Sequence, residues 1–129
     1  MSLIVLVDTD ILIDVAREIQ IAINRLQLEA KNAVLAISVI TKMELIVGCR
    51  NKTELQSLQQ FLGHYTLMPV TEDVSNKAVE LLTTYRLSHG LLIPDALIAS
   101  TAIVNKISWL TRNKSDYHFI SGINLLAYP

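Results

Sequence analysis

Leu3-Ile-Val-Leu-Val7, followed at once by Asp8-Thr-Asp10 and then by Ile11-Leu-Ile-Asp-Val-Ala16, decides the architecture. Five consecutive apolar residues, mostly branched, suit a strand buried on both faces, as inner strands of parallel sheets are. Asp10 predicts the cap of a helix from about Ile11, so strand gives way to helix within a few residues. The same grammar recurs downstream. Ile19, Ala22, Ile23, Leu26 and Ala30 repeat at helical spacing, and 34–37 reads as a second strand. Ser38 predicts the cap of a helix running through Val47 and stopping at Gly48. Thr53 opens another helix, with Leu55, Leu58 and Leu62 on one side and Gly63 after it. A weaker strand over 66–70 is confined to an edge or an end by Pro69.

Thr71-Glu-Asp73 begins the longest helical pattern, with Val74, Ala78, Leu81, Leu82 and Tyr85 as its apolar stripe and Gly90 beyond its end. Pro94 suits the first position of a helix from Asp95 to about Asn105. Strands over 107–110 and 124–126 complete the series. Alternating strands and helices imply right-handed crossovers and a mainly parallel sheet. No linker, repeat or low-complexity segment divides residues 1–129, which predicts one three-layer α/β/α domain.

Composition narrows the functional classes. With 51% hydrophobic and 18% charged residues among 129, the chain has the means to bury roughly two-thirds of its unfolded surface and is not of the disordered class. The apolar excess is also compatible with a surface covered by a partner. A net charge of −1 and a pI near 6.3 exclude a global basic field, so any nucleic-acid contact must be local. The single cysteine, Cys49, excludes an internal disulfide and fits a reducing, cytoplasmic setting. The Leu3–Val7 run is too short for a signal peptide's apolar region, and no uninterrupted stretch predicts a membrane span.

Four acids stand where a carboxylate is awkward unless something uses it. Ligands of open α/β sheets sit beyond the carboxyl ends of the strands. Asp8 directly follows the first strand, and Asp116 follows the late strand after Thr111-Arg-Asn-Lys-Ser115. Glu44 shares a helical face with Ile40 and Val47, which predicts that it points toward apolar packing. Asp95 lies in the first turn of its helix, where the backbone dipole favours negative charge. If these four converge, two unit charges ~5 Å apart at an effective dielectric of ~20 repel by roughly 3 kcal/mol, so protons or cations must relieve them. An all-oxygen set without clustered His or Cys suits Mg²⁺ or Mn²⁺ rather than Zn²⁺. A dication held by carboxylates activates water and stabilises the leaving oxygen in phosphodiester cleavage.

Each acid also has a plainer reading: Asp8 as a turn or cap residue, Glu44 as a surface glutamate, Asp95 as an ordinary helix start, Asp116 as a polar loop residue. Asp10 is expected to cap and Asp14 to be solvated. Thr111 and Asn113 are accessory candidates for orienting a ligand or water, or simply form the turn; Arg112 and Lys114 are candidates for holding phosphates, with solvated loop charges the more common alternative. His64, His89 and His118 are too scattered to read as a metal motif, and Cys49 reads as a small, partly buried residue.

Four segments together carry a family resemblance. Val7-Asp-Thr-Asp-Ile-Leu-Ile-Asp14 and Thr41-Lys-Met-Glu-Leu-Ile-Val-Gly48 supply the first two, and Ile93-Pro-Asp-Ala-Leu-Ile-Ala99 the most specific. Leu110-Thr-Arg-Asn-Lys-Ser-Asp-Tyr117, followed by Phe119-Ile-Ser-Gly-Ile-Asn-Leu125, supplies the last. The chain resembles PIN-domain ribonucleases, most closely the VapC toxins of toxin–antitoxin pairs, over nearly its whole length. Tyr117 stands where phenylalanine is usual. The resemblance implies a sheet of order 3-2-1-4-5 and a Mg²⁺- or Mn²⁺-dependent endoribonuclease with Asp8, Glu44, Asp95 and Asp116 as its acidic quartet. It makes Asp8 and Asp95 the firmest metal ligands and Thr111 an accessory residue. It further implies a homodimer, a cognate antitoxin and an RNA substrate. Competing readings are a non-catalytic RNA- or protein-binding module and a phosphatase with Asp8 as its nucleophile. The second lacks the expected hydroxyl or valine at Leu12. A receiver domain is disfavoured because Ser38, not an aspartate, follows the second strand.

Overall fold

The computed structural model describes residues 3–129. Its strands are β1 (Leu3–Val7), β2 (Ala33–Ser38), β3 (Thr66–Met68) and β4 (Ser108–Leu110), all parallel, in the order β3-β2-β1-β4. The helices are α1 (Thr9–Ala16), α2 (Gln20–Ala30), α3 (Val39–Val47), α4 (Lys52–Leu62), α5 (Glu72–His89) and α6 (Ile93–Asn105), and a 3₁₀ turn spans Lys114–Asp116.

Side chains alternate across the sheet and build a core on each face, as a doubly covered parallel sheet requires. Val5, Val7, Ile37 and Leu110 pack with Ile11, Leu12, Ala22, Leu26 and Leu62 from α1, α2 and α4. Leu6, Ala36 and Trp109 point the other way, against Ala78 and Leu81 of α5 and Ile98, Ala99 and Ala102 of α6. The small residues of α6 let that helix lie close to its neighbour α5. Gly90 ends α5 in the left-handed region (φ 71), where a side chain would be strained.

The expected fifth strand over 124–126 is reduced to one parallel bridge between Trp109 and Leu125. A single residue, Trp109, supplies both of its backbone bonds: its N–H donates to Asn124 O and its carbonyl accepts from Leu126 N–H. The segment thus occupies the fifth position without propagating a ladder. The strand over 66–70 stops at Met68, immediately before Pro69. Helix starts also move. Asn51, not Thr53, caps α4 by accepting from Glu54 N–H, and Pro94 is the second residue of α6 rather than the first. At the other terminus of the series, Asp8 rather than Asp10 caps α1, accepting from Thr9 N–H, so the helix begins at Thr9.

Candidate active site

Because all four strands run the same way, their carboxyl ends share one edge. Asp8 leaves β1 there, Ser38 ends β2 and caps α3, and Thr111 leaves β4. Asp8 N–H donates to Leu110 O at 2.9 Å, which carries the β1–β4 pairing past the strand end and sets Asp8 beside Thr111. The Asp8 carboxylate is 5% exposed, and both oxygens are engaged. Oδ1 accepts from Thr9 N–H at 2.8 Å and Oδ2 from the Thr111 hydroxyl at 2.6 Å.

Asp10 and Asp14 turn inward alongside. Asp10 Oδ2 accepts from Arg112 N–H at 3.2 Å and lies 3.3 Å from Thr111 Oγ1. Asp14 is buried, not solvated as its sequence context suggests, because Arg112 Nη1 donates to both its carboxylate oxygens at 2.8 and 2.9 Å. The Arg112 guanidinium is therefore spent on Asp14, and the loop after β4 is tied to α1 through both backbone and side chain.

Glu44 is exposed, as is Val47 on the same face of α3; only Ile40 of that face is half-buried, and Leu45 packs on the core from beside it. Glu44 Oε1 accepts from the Thr9 hydroxyl at 2.8 Å, and Thr9 and Thr41 share a hydroxyl–hydroxyl hydrogen bond of 2.9 Å. Thr9, the first residue of α1, thus links the glutamate to the turn that holds Asp8. On the far side, Asp95 is partly buried in the first turn of α6 and faces the Tyr117 hydroxyl. Tyr117 is pinned by Trp109, with ring centroids 4.8 Å apart. Asp116 is exposed on the 3₁₀ turn and lines, with Asp95, the same cavity. Asn113 N–H donates to Thr111 Oγ1 at 3.1 Å, fixing that hydroxyl, while Lys114 is exposed.

The charges of these acids interact. Burial, then repulsion by Asp10, pushes the Asp8 carboxyl up to about 7, against the pull of the Thr111 and Thr9 hydrogen bonds; Asp95 adds to the rise. Burial also raises Asp10, opposed chiefly by the Arg112 N–H. Asp95 is raised by burial, with Glu44 and Asp116 adding repulsion and the Tyr117 hydroxyl opposing it. Burial and the surrounding carboxylates in turn hold the Tyr117 phenol firmly protonated. Repulsion thus links Asp95 to Asp8, Glu44 and Asp116, beneath a larger contribution from burial.

The donor set fits a hard dication: carboxylates and hydroxyls only, with Asp10 Oδ1 buried and lacking any hydrogen-bond partner. Among the described residues, however, no three His, Cys, Asp or Glu side chains stand close enough together to share one ion. The acids ring a mouth rather than closing on a point. Asp116 is exposed on its 3₁₀ turn, whereas Glu44 would have to give up or share its Thr9 hydrogen bond to turn toward an ion.

Sequence reasoning undervalued three features. Asp10 and Asp14 belong to the acidic wall, and their spacing after Asp8 carried that signal. The Asp14–Arg112 pair had none, because the two lie 98 positions apart. His89 and His118, distant in sequence, come together around Phe119 beside Asp95.

A PIN domain family model matches residues 5–119, and the chain belongs to the PIN-domain family. It is 35% identical over 116 residues to ribonuclease VapC10 of Mycobacterium tuberculosis (strain CDC 1551 / Oshkosh), covering 89% of this chain and 85% of that protein. Among solved structures it is similar to VapBC2 from Rickettsia felis bound to a promoter DNA fragment. That match has a TM-score of 0.82 at 28% identity, over 98% of this chain and 100% of the other. A toxin–antitoxin complex from Klebsiella pneumoniae matches with a TM-score of 0.77 at 32% identity, over 95% and 96%.

Proposed function

We propose that this chain is the toxin of a toxin–antitoxin pair, an endoribonuclease that cleaves RNA phosphodiester bonds in the cytoplasm with Mg²⁺ or Mn²⁺. The observation that supports it most is the buried Asp8 carboxylate set beside Asp10 by Thr111 at the sheet's carboxyl edge, in a relative of a VapC ribonuclease. Asp8 and Asp95 would hold the dication, with Glu44 and Asp116 completing the set. When bound, the ion would supply water activation and stabilisation of the leaving oxygen.

The chain's own residues define the rest. Thr111 Oγ1 and Thr9 N–H fix the Asp8 carboxylate, so its orientation needs no ordering on binding. Thr9 Oγ1 engages Glu44 Oε1 and leaves Oε2 able to accept a proton from water. Tyr117, firmly protonated, donates toward Asp95 and favours its charged form. The assembly expected for the chain is a homodimer that binds a cognate antitoxin; among the described residues no helix is long and apolar enough to cross a membrane.

Purified protein should cut single-stranded RNA with Mg²⁺ or Mn²⁺, stop when EDTA is added, and lose activity as Asp95→Asn. Full activity of that variant, freed of contaminating nuclease, would defeat the assignment. The phosphatase reading predicts a phosphoryl group trapped on Asp8, whereas attack by water leaves no such adduct. A non-catalytic binding module predicts instead that Asp8→Asn keeps the biological effect.

A further inference from the structure

Beside Asp95 and Asp116 opens a cavity of about 400 Å³ lined also by His89, Leu92, His118 and Phe119. None of these last four holds the dication or moves a proton in the reading above. His89 stacks on Phe119 with ring centroids 3.9 Å apart and planes 14° from parallel. Tyr85 backs both rings edge-on, at 5.0 Å from Phe119 and 5.9 Å from His89, and its hydroxyl accepts from Ser121 N–H. The stack is thus braced from behind, while His89 itself is exposed and has its second face free of Phe119.

His118 adds polarity at the rim. Its Nδ1 lies 2.7 Å from Ser115 O, and a carbonyl only accepts, so that nitrogen carries hydrogen. In the neutral ring Nε2 is then an acceptor. A braced aromatic face, a rim acceptor and two acids that would hold an ion at one end are the parts of a site for one unpaired base. Every nucleobase offers a face to stack on. The volume lies at the lower end of small-ligand sites, roughly 300–1,000 Å³, which suits one nucleotide rather than a base pair.

Resting on the ribonuclease reading, the geometry points to a nucleobase subsite. One unpaired base of single-stranded RNA, adjacent to the scissile phosphate, stacks on the exposed face of His89 with Phe119 behind it. The His118 ring is positioned to read the base edge, and Asp95 and Asp116 lie at the phosphate end. Duplex RNA is excluded from the subsite because its bases are already stacked on one another.

The test is fluorescence anisotropy of labelled single-stranded oligoadenylate and oligouridylate, and of the duplex they form, with Ca²⁺ replacing Mg²⁺ to suppress turnover. His89→Ala changes an exposed residue at the end of α5, and Phe119→Leu gives a second variant that keeps an apolar group behind it. The wild type should bind a single strand more tightly than the duplex, and either variant should weaken single-strand binding roughly tenfold. Equal binding of strand and duplex by the wild type, or variants that bind single strands as the wild type does, overturns the subsite. Cleavage with Mg²⁺ separates the two ideas. A wild type that cuts RNA, alongside a His89→Ala variant of unchanged KM, overturns the subsite and leaves the ribonuclease reading standing. A wild type that neither binds nor cuts RNA overturns both.

Discussion

On the β1 side of the mouth, Asp8, Asp10 and Asp14 are held by Thr9, Thr111 and Arg112 through backbone and side-chain bonds; on the α6 side, Asp95 faces one phenol, and Asp116 stands exposed with no such frame. The first wall is preorganised and carries a raised carboxyl even so. The second is adjustable. A site built this way keeps its charge in place on the rigid side and lets the flexible side close on whatever neutralises it. Burial of the Asp8 charge, with repulsion from Asp10 added, is then a cost in stability that a bound dication would relieve.

The largest expected effect comes from removing a charge from the rigid wall. Asp8→Asn should lower RNA cleavage by on the order of 10²–10³-fold, the scale of a single charge-stabilising group. It should also raise metal-free stability by about 1–3 kcal/mol at pH 8, measured by urea unfolding in EDTA. The sign follows from the raised carboxyl. Asp8 favours the folded state below its ordinary 3.8 and loses that contribution as pH climbs through about 7. Asn, which keeps the cap to Thr9 N–H, has no such loss, so the gap between variant and wild type should widen from pH 4 to 8. A variant less stable than wild type at pH 8 would show that the wall is not strained.

Divalent ions should reproduce that gain in the wild type. Saturating Mn²⁺ should raise the melting temperature by roughly 5–10 °C at pH 8 and far less at pH 5, where protons already neutralise Asp8. An equal rise at both pH values would place the ion elsewhere.

Arg112→Met addresses what holds the rigid wall. It leaves Asp14 buried without its partner, so stability should fall by about 1–2 kcal/mol, discounted because the Arg112 side chain is 52% exposed. Cleavage should fall less than in Asp8→Asn, since Thr111 still holds Asp8. Tyr117→Phe, on the adjustable side, should be mildest. It removes the hydroxyl that favours charged Asp95, so half-saturating Mg²⁺ should rise roughly tenfold at pH 7, with the rate at saturating metal unchanged.

The difference between the two walls also explains what was legible in the sequence. Leu3–Val7 is readable as a continuous apolar run, although Asp8 rather than Asp10 caps the helix after it, and the helix over Thr71 to Gly90 is readable because stripe, cap and stop agree locally. Asp95 was readable from Pro94 and the helix start. The Arg112–Asp14 pair and the His89–Phe119 stack were not, because contacts across 98 and 30 positions are made by the tertiary fold and leave no local pattern. Glu44 points to solvent rather than to the core for a related reason. A 3.6-residue period shows which residues share a face but not which face the core takes, and α3, packed between α1, α4 and α6, exposes the one that carries Val47. The fifth strand is shorter than its pattern suggests, because Leu125 and Leu126 follow a polar Asn124 and the segment makes only one bridge.

Anomalous diffraction from crystals soaked in Mn²⁺ bears most directly on whether the acidic ring closes on a dication. One strong peak is expected at about 2.0–2.3 Å from carboxylate oxygens of both Asp8 and Asp95, with Glu44 or Asp116 turned toward it. A saturating soak with no peak between those two residues, or a peak bound only to acids elsewhere on the surface, would contradict it.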